Sequence, residues 1–331
     1  GTPELREAIC AKLKRDNGLD YTPAQIICSN GAKQSVGFSL LAMVNPGDEV
    51  IIPAPYWVSY PAMTQLAQGI PVPVRTSFEH NYRLTPEQLE EAITDKTRVL
   101  ILCSPSNPTG SCYSKQDLEG LAGVLRRYPN ISIISDEIYE YIVFDEEHIS
   151  LLNVAPDLKD RVALINGFSK GFAMTGWRLG YLAGPEELVK AVGKIQSQET
   201  SAPSSISQAA GFAAYSGTLD EVLVMRASFK TRRDFMVEQL NSIEGVSCFS
   251  PGGAFYVFPD IFSYLGSVTP SGTPIESSTD LCLYLLDEVG LALVPGDAFG
   301  EPDGLRMSYA AAMDDLVEAM NRFKHGLAGL S

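Results

Sequence analysis

Side chains that could bind a metal are scarce in this sequence. There are three histidines (His80, His148 and His325), no two of them close, and six cysteines at 10, 28, 103, 112, 248 and 282 with no C-x-x-C pair. Isolated cysteines inside apolar or strand-like stretches are usually buried thiols, not disulfides or ligands. No metal site is expected, and a reducing compartment is the default. No apolar run reaches the roughly 18 residues that a spanning helix needs, so no membrane partner is expected. Positive charge is also in deficit: 25 Lys and Arg against 40 Asp and Glu leave a formal net charge of −15. Such a surface repels phosphate backbones, so nucleic acid is not an expected partner. No G-x-G-x-x-G follows any predicted strand, which removes the dinucleotide turn of a nicotinamide dehydrogenase. Internal repeats and low-complexity tracts are lacking too.

What is present is an ordinary folding composition, 331 residues with 45% hydrophobic and 20% charged, enough for a large core or two domains. Apolar β-rich runs at 49–55, 71–74, 98–105, 131–137 and 161–168 read as strands. Helical patterns at 32–44, 85–93 and 115–128 lie between them. That alternation predicts an α/β fold with a doubly wound, mostly parallel central sheet flanked by helices. The Ser-rich stretch 197–208 reads as a loop, and the long helical pattern 219–243 carries the chain into a smaller α+β domain. That domain holds GAFYVFPDI (253–261), a helix at 281–290 and a last helix near 313–327. The expected division is a large domain of residues 1–220 and a small C-terminal one of 221–331. The chain opens at GTPELREAI, partway into a helix start and with no methionine or targeting peptide, so a segment is expected to precede Gly1.

In open α/β sheets ligands bind beyond the carboxyl ends of the strands. Three suggestive stretches fall there: SPSNPTG (104–110), SDEIYE (135–140) and NGFSK (166–170). Each has a plain alternative, since Asn-Pro-Thr-Gly is turn chemistry, Asp136 could cap a helix and a lone lysine is ordinarily solvated. Their conjunction favours a site. Together with SKGFAMTGWRLGYLAGP (169–185) and LRMSYA (305–310), they resemble the class I, fold-type I aminotransferases, which depend on pyridoxal 5'-phosphate. The resemblance runs in order and approximate spacing from Gly1 to the last helix. The wording of APYWVSY (54–60), LCSPSNPTGS (102–111) and VPGDAFG (294–300) is most similar to the bacterial and plastid enzymes using aspartate, glutamate and, in many members, prephenate.

The resemblance implies a role for each matching residue. Lys170 matches the lysine that holds the cofactor covalently and later shuttles a proton, and Asp136 the carboxylate that pairs with the pyridine nitrogen. Tyr139 and Asn107 match the pair that hydrogen-bonds the ring hydroxyl. Arg178 matches the phosphate-binding arginine, and the N–H groups of Gly31 and Ala32 open a helix whose dipole suits the same phosphate. Trp57 matches the aromatic that stacks on the ring, with a core tryptophan as the alternative. Arg306 matches the bidentate partner of the substrate α-carboxylate. Lys33 matches a lysine that one aspartate-aminotransferase subgroup uses for the distal carboxylate, with a solvated or structural lysine as the alternative. Gly167 stands where some members place a serine on the phosphate, and Ser169 is the candidate replacement. The family's N-terminal arm has no counterpart here, and Ser204, Ser205 and Ser207 are candidates for the hydroxyl that reaches a neighbour's phosphate.

The activity this resemblance implies is that of a dicarboxylate aminotransferase, working as a homodimer by a ping-pong cycle on amino acids and 2-oxo acids. A β-lyase or decarboxylase of the same fold is the alternative, and Lys33 argues against it. A regulatory module without catalysis would ordinarily have lost part of the site. Localisation depends on the source, plastid stroma for a plant or alga and cytoplasm for a bacterium.

Overall fold

The computed structural model describes residues 1–331. Helix α1 (Pro3–Asn17) starts where Thr2 caps the Leu5 N–H and Pro3 fits the first turn, and it stops at Gly18, whose φ of 68° suits a residue without a Cβ. The alternation then runs as β1 (Ile26–Ser29), α2 (Ala32–Met43), β2 (Glu49–Ala54), α3 (Ser59–Leu66), β3 (Ile70–Arg75), α4 (Pro86–Ala92), β4 (Thr97–Cys103) and α5 (Lys115–Arg127). It continues as β5 (Ser132–Asp136), α6 (Leu151–Val154), β6 (Val162–Gly167), β7 (Gly180–Ala183), α7 (Glu186–Glu199) and α8 (Ser205–Ser216). The remainder is α9 (Asp220–Asn241), β8 (Tyr256–Val257), α10 (Ser278–Val289), β9 (Val294–Pro295), β10 (Leu305–Ser308) and α11 (Met313–Ala328).

The five expected strands are β2 to β6, each within two residues of its expected limits. The seven-stranded sheet runs β1-β7-β6-β5-β4-β2-β3, and only β7 is antiparallel to its neighbours. Its central strands alternate between two cores. Leu100, Ile133 and Leu164 enter one apolar cluster, and Ile101, Ile134 and Ile165 enter another, as the two-residue period of a strand requires. The edge strand β3 carries Pro71 and Pro73, tolerable only where a missing N–H leaves no ladder bond unmade. From α9 onward a third cluster forms around Phe229, Met236, Leu285 and Phe323, beside the three-stranded sheet β8-β10-β9. No helix is long and apolar enough to cross a membrane.

The loop expected over 197–208 is present but shorter, residues 200–204, because α7 runs to Glu199 and α8 begins at Ser205. Tertiary bonds account for the difference. The Ser207 hydroxyl donates to the Trp177 carbonyl (2.8 Å), and Gln208 bonds both Pro203 (2.7 Å) and Thr2 (2.6 Å), so these polar side chains are satisfied within a packed helix.

One buried ion pair fixes the segment after β5. Lys12, fully buried on α1, pairs with Glu140, whose second oxygen accepts from Asn17 (2.9 Å). Removing one partner leaves a buried charge unanswered, which typically costs about 3–5 kcal/mol. Lys12→Met is therefore expected to lower the unfolding free energy by about 3 kcal/mol or more in urea denaturation, and Lys12→Met/Glu140→Leu to recover much of it. A single variant as stable as the parent would contradict this.

Candidate active site

The carboxyl ends of three adjacent strands deliver the chemistry. Asp136 is the last residue of β5, the turn carrying Asn107 comes after β4, and Lys170 lies three residues beyond β6. With the start of α2 and residues of β8 and β10 they enclose a cavity of about 380 Å³. Its walls include Ala32, Lys33, Trp57, Asn107, Asp136, Tyr139, Ser169, Lys170, Arg178 and Arg306. Of the residues singled out from sequence for this chain's own cofactor or substrate, all are brought to this cavity except Gly31, which lies immediately behind, while Ser204, Ser205 and Ser207, singled out for a neighbour's phosphate, do not line it.

Gly31 requires a correction. Its N–H, expected to face the cavity, donates instead to the Ser29 carbonyl at 2.8 Å. The N–H groups left free by geometry are those of Ala32 and Lys33 in the first turn of α2. Gly31 serves by its size. With φ at 81°, any Cβ there would collide with the Arg178 guanidinium. Arg178 itself has φ of 49°, a left-handed conformation that costs a non-glycine residue roughly 1–2 kcal/mol. Its Nη1 donates to the Thr175 carbonyl at 2.8 Å. Gly180, on β7, allows the backbone of Gly31 and Ala32 to approach, and at Gly167 a Cβ would lie 2.8 Å from the Gly180 Cα. A serine at 167 is sterically excluded by that crossing.

The polar contacts form two chains. Tyr60 donates to Asp136 Oδ2 (2.7 Å), and the Ile138 N–H to Oδ1 (3.3 Å). Arg306 Nη1 donates to Asn107 Oδ1 (2.9 Å), while the buried Arg306 Nε has no partner. The Tyr139 hydroxyl lies 3.0 Å from that of Tyr256, and the Arg306 guanidinium carbon sits 4.6 Å over the Tyr256 ring. Lys33 Nζ is 4.9 Å over Trp57, whose ring meets Tyr60 edge-on at 5.3 Å. Ser207 is engaged with Trp177, and Ser204 and Ser205 are exposed.

Charge in the cavity is one-sided. Lys33, Lys170, Arg178 and Arg306 face a single carboxylate, Asp136, and none of these five belongs to an ion pair within 4.0 Å. Burial lowers the Lys170 amine below its ordinary range, and Arg306 and Arg178 add to that against the pull of Asp136. Burial pushes Asp136 up to about 6 despite the Tyr60 hydrogen bond. A second cluster, Glu137, Glu140 and His148, lies behind this wall. It is satisfied internally: Glu137 accepts from Ser135 (2.9 Å), Ser150 (2.7 Å) and His148 (2.9 Å), and Glu140 is held by Lys12.

Tyr60, Cys103, Thr175 and Tyr256 also line the cavity and are not evident as site residues in the sequence. Tyr60 lies within the APYWVSY stretch, three residues after Trp57, so helical spacing could have suggested it. Nothing in one sequence joins Tyr256 to Tyr139.

The family model described as aminotransferase class I and II matches residues 1–322. The bifunctional aspartate aminotransferase and glutamate/aspartate-prephenate aminotransferase of Petunia hybrida is 52% identical over 332 residues, covering 99% of this chain and 69% of that protein. The aspartate/prephenate aminotransferase of Cereibacter sphaeroides is 49% identical, covering 100% of this chain and 83% of that protein. Among solved structures, the aspartate aminotransferase of Rhizobium meliloti superposes with a TM-score of 0.98 at 46% identity, covering 100% of this chain and 83% of its own.

The Asp136 value carries a pH signature. Because it lies above the ordinary 3.8, burying the ion opposes folding, and the stability of the protonated form is lost as pH rises through about 6. Asp136→Asn should therefore gain on the parent, dialysed free of small molecules, by about 1 kcal/mol between about pH 5 and about pH 7.5. Urea denaturation at both pH values checks this, and a difference that does not change with pH would contradict it.

Proposed function

This chain belongs to the class I and II aminotransferase family, and on that premise we propose that it moves the amino group between aspartate or glutamate and 2-oxo acids. The acceptors are 2-oxoglutarate, oxaloacetate and prephenate, handled by a ping-pong cycle with pyridoxal 5'-phosphate as cofactor. The observation that carries the reading is the cavity's charge, four cations against Asp136, which suits ligands bearing several anionic groups.

The residues fit the cofactor on three counts. Asp136 is a buried carboxylate with no cation paired to it, as a protonated ring nitrogen demands. The Gly31 cradle, the first-turn N–H groups of α2 and Arg178 form a compact cationic pocket for a phosphate, with Ser169 alongside. Lys170, its amine depressed by burial, is suited to covalent attachment. When bound, the cofactor supplies an electron sink that acidifies the hydrogen on the substrate's α-carbon.

Everything else falls to the chain. Arg306, with Nε unpartnered and Nη1 fixed by Asn107, takes the α-carboxylate of each substrate in turn. Tyr139 and Asn107 would donate to the ring hydroxyl of a bound cofactor, and Trp57 would cover the ring face. Lys33 receives the distal carboxylate. Once displaced from the cofactor by the substrate's amine, the Lys170 amine would remove the α-proton and hold it for return, so one base would serve both directions. Residues 1–220 hold the cofactor and residues 221–331 bring Arg306 to it. Exposed apolar side chains at Leu66, Trp177 and Ile206 suit a homodimer interface. The compartment is plastid stroma for a plant or algal source and cytoplasm for a bacterial one.

The test is transamination from L-aspartate to 2-oxoglutarate, monitored as oxaloacetate, in the parent and two variants. Arg306→Ala should lower kcat/KM for mono- and dicarboxylic substrates alike, by on the order of 2–5 kcal/mol. Lys33→Ala should weaken dicarboxylic substrates selectively, and a uniform loss would return Lys33 to a structural role. A parent inactive with both aspartate and glutamate would overturn the substrate reading.

A further inference from the structure

Tyr256 touches both ends of the proposed site, yet no step of the proposed cycle uses it. It stands on β8 opposite Ser308 of β10, so Arg306, two residues earlier, is its diagonal neighbour on the same face. That register brings the guanidinium carbon 4.6 Å over the Tyr256 ring, with the Phe299 ring 5.0 Å from the same carbon. The other end of the side chain reaches the Tyr139 hydroxyl at 3.0 Å.

Proton counting gives this contact a direction. Tyr256 is 6% exposed, and Tyr139 is the one hydrogen-bond partner of its hydroxyl. Each phenol has one proton to donate. Both tyrosines line the cavity, and in the proposed function the single Tyr139 proton goes to the cofactor's ring hydroxyl, so the proton shared between the two phenols is that of Tyr256. When Tyr256 donates to Tyr139, its own proton is satisfied and the Tyr139 proton is turned elsewhere. Tyr139 lines the cavity, so that proton is available to an acceptor within it. A hydroxyl that accepts one hydrogen bond is also polarised into a stronger donor of the next.

We propose that Tyr256 is a positioning residue with two separable tasks: its hydroxyl aims the Tyr139 proton into the cavity, and its ring holds the Arg306 guanidinium in plane for a carboxylate. The inference rests on the reading that Tyr139 donates to the ring hydroxyl of pyridoxal phosphate and Arg306 binds the substrate carboxylate. It adds that one side chain supports both, through its hydroxyl at one end and its ring at the other.

The tasks divide between two variants. Tyr256→Phe keeps the ring and removes the hydroxyl. In protein loaded with pyridoxal phosphate, a weaker Tyr139 donor stabilises the ionised ring hydroxyl less. The pH midpoint of the bound cofactor's absorbance change should then rise by about half a unit to one unit, while the Kd for succinate, a dicarboxylate that cannot react, stays within about twofold. Tyr256→Leu removes both, so the midpoint should rise similarly and the succinate Kd roughly fivefold or more. A Tyr256→Phe midpoint equal to the parent's overturns the first task, and a Tyr256→Leu variant with the parent's succinate Kd overturns the second. A parent that binds no pyridoxal phosphate fails the underlying reading instead, and that outcome is visible before either variant is made.

Discussion

Four cations and one carboxylate converge on the cavity, Asp136 buried at its floor and Lys33 and Arg178 on its exposed side, and none of the five belongs to an ion pair within 4.0 Å. Like charges at such separations raise one another's energy, more so where water is excluded. The arrangement persists because rigid neighbours hold it. Asn107 fixes Arg306, the Thr175 carbonyl fixes Arg178, and Tyr60 and the Ile138 N–H fix Asp136. Burial depresses the Lys170 amine and the neighbouring Arg306 and Arg178 add to it, and an excess of positive charge suits polyanionic ligands. In an acidic protein of net charge −15, this is a local reversal of sign.

The fold supplies the rigidity. Strands β4, β5 and β6 are buried and parallel, so their carboxyl ends present Asn107, Asp136 and Lys170 side by side. The antiparallel β7 then crosses with Gly180 close to the start of α2, and that approach brings the Arg178 guanidinium against Gly31. Behind this wall the Lys12–Glu140 pair and the fully bonded Glu137 anchor the segment that carries Tyr139. Arg306 and Tyr256 arrive from a separate small sheet, and their hydrogen bonds to Asn107 and Tyr139 join the two halves of the site.

The central strands were legible because they are apolar and turn residues interrupt them, and Lys170, Asp136, Asn107 and Arg306 because they sit in motifs of fixed order. The strands β1 and β7 were not, since four residues carry too little periodicity. At 197–208 serine content suggests a loop, which holds for 200–204, while contacts of Ser207 and Gln208 with Trp177 and Thr2, distant in sequence, support helix from Ser205 onward. The Gly31 N–H was misassigned because a helix start says which donors lack helical partners, not which of them the preceding turn satisfies. Here Ser29 accepts it. Tyr256 was hidden for a different reason: its meaning lies in a cross-strand register and in a hydroxyl pair 117 positions apart.

The central claim is that Lys170, Asp136 and Arg306 form one working site for pyridoxal phosphate and an amino acid. Its most direct test is the absorbance spectrum of the purified protein with the cofactor, before and after L-aspartate and again after 2-oxoglutarate. The account predicts a yellow band that bleaches with aspartate and returns with 2-oxoglutarate. A protein that acquires no such band, or one whose band ignores both aspartate and glutamate, would contradict it.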